Sequence, residues 1–135
     1  MLNALDVSAS ALEAQRLRME VASNNLANAQ TTRATRAPDG TWLPYRRRQV
    51  VFQALLEGAG GVKVQRVEDD PSDFHASFDP HHPDADAQGM VKLPNVDPLM
   101  EMVDLIEASR AYEAGITSLN TAVSMAERAI SIGGR

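Results

Sequence analysis

The sequence predicts a mainly α fold with a small β insertion, in which N- and C-terminal helices pack as a coiled-coil-like pair around a short-stranded antiparallel β module. Three observations predict it. Residues 5–29 contain neither Pro nor Gly. The last part of the chain carries apolar residues at alternating three and four spacings, and the stretch between is broken by Pro and Gly signals into short runs of strand composition. The implied divisions are an N-terminal helix within residues 1–32, a β-rich middle at 33–96, and a long helix within 97–135 that completes the core with 1–32.

The first helix is expected over Leu5 to Ala29, where Ala, Leu, Glu, Gln, Arg and Met dominate. Leu5, Leu12, Met19 and Leu26 recur every seven residues, while Gln15 and Arg16 interrupt the stripe. A seam that narrow is marginal as an isolated helix and needs a partner. In the middle, Pro38-Asp39-Gly40 signals a turn, Tyr45 to Leu55 a strand, and Gly58, Gly60 and Gly61 a break. Val62 to Gln65, Phe74 to Phe78 and Met90 to Leu93 complete about four short strands, enough to bury little on their own.

Asp97-Pro98 opens the last helix with an N-cap carboxylate and Pro at N1, Glu101 adds an acid to the first turn, and Gly133-Gly134 stops it. A helix of about 35 residues spans roughly 52 Å at 1.5 Å per residue. Its seam reads Met102, Leu105, Tyr112, Ile116, Leu119, Val123, Ala126 and Ile130, with Ser109 the one polar interruption, and Val103 and Ile106 add a second strip. Two helices cannot cover all of this. The remainder is expected to be buried against identical or related chains, building rings or filaments, and the ends of a lone chain are expected to be disordered.

Composition narrows the function. A net charge of -5, without a basic segment, gives no reason to expect nucleic acid or an anionic membrane. With no cysteine there are neither disulfides nor thiolate metal sites, no apolar stretch approaches a bilayer span, and no signal-peptide pattern opens the chain. Asp84 to Gly89 resembles the start of a calcium loop, but Asn95 stands where the bidentate Glu belongs. His81 and His82 are adjacent and do not converge, and Arg46, Arg47 and Arg48 lack aromatic partners for nucleic acid, so ion pairing with acids of neighbouring subunits is the expectation for them. No nucleophile elbow, phosphate-binding loop or zinc helix is present, so no catalytic residue, cofactor or small-molecule substrate is expected.

The run Ser23-Asn24-Asn25-Leu26-Ala27-Asn28 is more informative, since Asn is costly inside a helix and Asn24 and Asn28 share a face. A fraying helix end or interchain amide bonding would each account for it. Val21 to Thr32 as a whole resembles the N-terminal signature of the flagellar rod and hook axial proteins. Pro44 to Phe52, Gly61 to Val64, Glu68 to Ser72, Asp79 to Asp86 and Pro94 to Ala114 match, in order and spacing, the proximal-rod members of that family.

The resemblance covers nearly the whole chain, departing at Met90, where an aromatic is common, and over Ser124 to Ile132. It implies a structural, torque-transmitting subunit of the rod within the periplasm, and not an enzyme. Its partners would be copies of itself, other rod proteins and the flagellar type III export apparatus, without a cleaved signal or membrane insertion of its own. The terminal helices would form the inner tube, with the β module further out. The expected subunit-interface residues are Leu5, Leu12, Met19, Asn24, Asn25, Leu26, Asn28, Met102, Leu105, Tyr112, Ile116, Leu119, Val123 and Ile130. The competing reading is a soluble metal- or ligand-binding module dimerised by its long helix.

Overall fold

A computed structural model describes residues 2–54 and 60–133. Its elements run α1 (Leu2–Ala27), β1 (Thr35–Arg36), β2 (Trp42–Leu43), β3 (Arg48–Ala54), β4 (Val62–Asp69), β5 (His75–Phe78), β6 (Met90–Leu93) and α2 (Pro98–Gly133). Leu55, Gly58 and Gly134, expected at a strand end, a break and a helix stop, lie outside the described residues.

Helix α1 ends two residues before the predicted Ala29, because Asn28 turns back on the last turn. Its backbone N–H and its side-chain amide both donate to the Asn24 carbonyl, at 3.1 and 2.9 Å. Helix α2 starts as predicted. Asp97 Oδ1 accepts from the N–H groups of Leu99 and Met100, at 3.0 and 3.4 Å, which caps the first turn behind Pro98.

The two helices run antiparallel. Near one end Asn25 meets Glu101, further along Arg18 pairs with Asp104 and Glu107, and further still Leu12 meets Gly115. Each helix thus supplies the other with a partner within one molecule. The register leaves about the last two turns of α2 beyond the start of α1.

The seam itself also differs from the sequence reading. The less exposed residues of α2 fall at Glu101, Asp104, Leu105, Ala108, Ser109, Tyr112, Gly115, Leu119, Ala122 and Ala126. Leu105, Tyr112, Leu119 and Ala126 were expected there, whereas Met102, Ile116, Val123 and Ile130 give way to neighbours one residue earlier or are left exposed. Small side chains explain the offset, because Ala and Gly let the helix axes approach while bulkier residues are pushed to the flank. At Gly115 a Cβ atom would stand 2.7 Å from Leu12 Cδ2. Gly115→Val is therefore expected to destabilise the chain by about 1–3 kcal/mol through overpacking, despite a gain of a few tenths in helix propensity. Urea unfolding measures it.

The middle is not one module of four strands. It forms three separate antiparallel pairs, β1 with β2, β3 with β4, and β5 with β6. The first was not anticipated, since two-residue strands carry no periodic signal. It is closed by Gly40 at φ 85° and by Asp39 Oδ1, which accepts from the backbone and hydroxyl of Thr41 at 2.9 and 2.7 Å. The β3–β4 hairpin, with a bulge between Val51 and Phe52, lies back along α1, where Val62 N–H reaches Ser10 Oγ at 3.4 Å. Helix α1 is thus flanked by α2 and by the hairpin, and Ala14, Val21 and Ala22 are its buried apolar residues.

Candidate functional site

Two features stand out. The first is an apolar strip on α2. Met102 is 44% exposed, Ile116 37%, Val123 39% and Ile130 75%, and the last three recur every seven residues. Near the helix start, Leu99, Met100, Val103 and Ile106 are exposed as well. Ser109 interrupts the strip between Met102 and Ile116. The remaining leucines and methionine of the predicted set, Leu5, Leu12, Met19, Leu26, Leu105 and Leu119, are half-buried, as is Tyr112.

The second feature is a buried polar node where both helices meet the β segments. Asn25 is 1% exposed and Glu101 1% exposed. Asn25 Nδ2 donates to the Arg48 carbonyl at 2.8 Å and to Glu101 Oε2 at 3.0 Å. Its Oδ1 accepts from Arg48 N–H at 2.9 Å and from the Tyr45 hydroxyl at 3.0 Å. All four hydrogen-bonding positions of the amide are filled. Arg47 Nε donates to Glu101 Oε1 at 2.5 Å, and Arg47 Nη1 to Asp70 Oδ2 at 3.2 Å.

Asn95, just before α2, closes the other side. Its Oδ1 accepts from Arg47 N–H at 2.7 Å, and its Nδ2 donates to Ser72 Oγ at 2.9 Å. Burial opposes the charge on Arg47, but the hydrogen bonds and attraction of Glu101 and Asp70 together outweigh it and raise the guanidinium's pKa. The Ser72 N–H and hydroxyl, with Arg47 beside them, hold Asp70 below the usual carboxylate range.

These contacts bear on two expectations. Asn25 is enclosed within its own chain and has no free hydrogen-bonding position for a neighbour, while Asn24 is exposed and Asn28 bonds locally. The arginine run has partners within the chain: Arg47 as above, Arg48 with Asp69, and Arg46 over the Phe74 ring with its Nη1 on the Asp70 and Ser72 carbonyls. Sequence reasoning missed Glu101 as the buried partner of Asn25 and Arg47, seeing only a helix-start acid. Its position four residues after the Asp97 cap was the available signal.

The acidic loop is committed elsewhere. Asp84 accepts from Arg33 Nε at 2.6 Å and from Thr32 Oγ1 at 2.7 Å, and Asp86 Oδ1 accepts from the N–H groups of Gln88 and Met90. His82 Nδ1 accepts from Asp84 N–H at 3.0 Å. Among the described residues no group of three His, Asp or Glu side chains is placed to hold a metal ion. Hydrogen bonding from Arg33, then from Thr32, lowers the Asp84 pKa.

Its stabilising contribution is therefore complete above the ordinary Asp value of about 3.9 and lost as pH falls through the lowered folded value. Amide exchange over residues 79–89 is expected to accelerate in that acidic window. Asp84→Ala is expected to produce the same acceleration at neutral pH.

Comparison with known proteins decides the family. Residues 5–35 match the family model described as flagella basal body rod protein, and residues 87–132 match that of the flagellar basal body rod FlgEFG protein C-terminal region. The flagellar basal-body rod protein FlgC of Bacillus subtilis is 47% identical, with 97% of each chain covered. The chain belongs to the flagellar basal-body rod protein FlgC family. FlgC of Salmonella typhimurium is 45% identical over 98% of each chain, and that of Borreliella burgdorferi 41% over 98% of this chain and 97% of its own. The N-terminal match contains most of α1 and Asn25, and the C-terminal match contains β6, Glu101 and nearly all of α2.

Proposed function

We propose that this chain is a structural subunit of the bacterial flagellar basal-body rod and that it assembles through its terminal helices into the tube that transmits torque. It is not an enzyme. The observation that carries the reading is the heptad-spaced strip of Ile116, Val123 and Ile130, left exposed by a chain whose helices already cover each other. Filling that strip with helices of neighbouring chains would extend the α1–α2 contact into coiled-coil-like packing and leave little free volume, the condition for a stiff shaft. FlgC relatives along almost the full length support the same conclusion.

In this reading the subunit reaches the periplasm through the flagellar type III apparatus, and its neighbours are copies of itself and other rod proteins. The β segments sit outward of the helical tube. The metal-binding alternative has no observation in its favour, since the oxygen atoms of Asp84 already accept from Arg33 and Thr32. Leu119→Asp is the direct test. A charge placed in the half-buried seam is expected to abolish rod assembly and swimming while synthesis continues, and normal swimming contradicts the reading.

A further inference from the structure

Glu101 is the largest fully buried side chain among the described residues, and it is charged. Burying a carboxylate is costly, and an apolar residue of similar volume often serves stability as well or better. Its contacts show what an apolar residue would not supply. Apolar contacts have no direction and allow sliding, whereas hydrogen bonds fix orientation.

The contacts converge on the start of β3. Asn25, at the end of α1, holds both backbone groups of Arg48, as an adjacent strand would, at 2.8 and 2.9 Å. Asn95, at the approach to α2, holds the Arg47 N–H at 2.7 Å, while Asp70 N–H at the end of β4 donates to the Arg47 carbonyl at 2.8 Å. Glu101 joins Asn25 to the Arg47 side chain, so α1, α2 and the base of the hairpin meet at one carboxylate.

We propose that Asn25, Arg47 and Glu101 form a joint that fixes the angle of the β3–β4 hairpin on the helix pair, so that load passes between them without play. The role as a load path rests on the rod-subunit reading; the joint itself does not. Elsewhere the hairpin lies along α1 with the single 3.4 Å hydrogen bond of Val62 N–H to Ser10 Oγ, beside a groove lined by Ala14, Leu17 and Val64. The directional contacts are therefore concentrated at the base.

The chain has no cysteine, so spin labels can be placed at will. One pair, Gln65→Cys and Arg110→Cys, reports hairpin against α2, and a second, Glu13→Cys and Glu113→Cys, reports α1 against α2; all four sites are exposed. Pulsed EPR on the full chain is expected to give one narrow distance for each pair. Asn25→Ala, and the milder isosteric Glu101→Gln, are expected to broaden the hairpin distance while the helix-pair distance stays narrow.

If neither distance broadens in either variant, the groove orients the hairpin and the joint is refuted. If both broaden together, the node is a general support of the fold and the joint is equally refuted. Swimming is scored separately. Failure of the unmodified chain to support it in cells lacking their own copy would count against the rod reading, not against the joint.

Discussion

Glu101→Ala is expected to lower the free energy of unfolding by about 3–5 kcal/mol, the cost of breaking a buried ion pair by removing one partner. The Arg47 guanidinium would lose its closest anion, keeping only the 3.2 Å contact with Asp70, and Asn25 would lose an acceptor in a place water reaches poorly. Against a total of about 5–15 kcal/mol for a domain of this size the loss is large. Chemical denaturation followed by circular dichroism measures it. Replacing Glu101 and Arg47 together by Met is expected to recover much of the loss, because no unpaired charge then remains. Equal destabilisation by the single and double variants would mean that the ion pair contributes nothing specific.

The second large effect is functional and leaves stability nearly untouched. Ile116 and Val123 are exposed in the single chain, so the double variant Ile116→Asp, Val123→Asp is expected to change unfolding free energy by no more than about 0.5 kcal/mol per site. In the assembled rod both side chains would lie between helices, where unpaired carboxylates are costly. Swimming and recovery of rods in isolated basal bodies are therefore expected to be lost, with the purified chain folding normally. Leu119→Asp does not separate the two effects as cleanly, since Leu119 is already half-buried between the helices of its own chain.

The helices were legible in the sequence because their signals are local. Asp97-Pro98 dictates where α2 begins, and the absence of Pro and Gly permits α1, whose end is marked by Asn28. Strands β4 and β6 were equally plain from alternation and flanking turns. What the apolar pattern did not disclose is which face of α2 meets α1. Ala108, Gly115 and Ala122 carry almost no hydrophobic signal, yet their small size permits the close approach, while the bulky residues that define the pattern remain on the flank.

The node was half legible. The asparagine run stood out because its residues are unfavourable inside a helix, but the partner of Asn25 lies 76 residues away and no spacing rule connects the two. The arginine run suggested ion pairing, and the partners turned out to be Glu101, Asp70 and Asp69 of the same chain. Long-range polar pairing depends on the fold, so local pattern can nominate one member and not the other. The division of the middle into three separate pairs was hidden for a related reason, since strand pairing is a property of the folded chain and β1 and β2 are only two residues long.

Everything proposed about assembly turns on what lies against the outer face of α2. A cryo-EM map of the intact basal body at side-chain resolution reads this directly. The account predicts Met102, Ile116, Val123 and Ile130 packed against helices of adjacent subunits; a map in which those four side chains face water would contradict it.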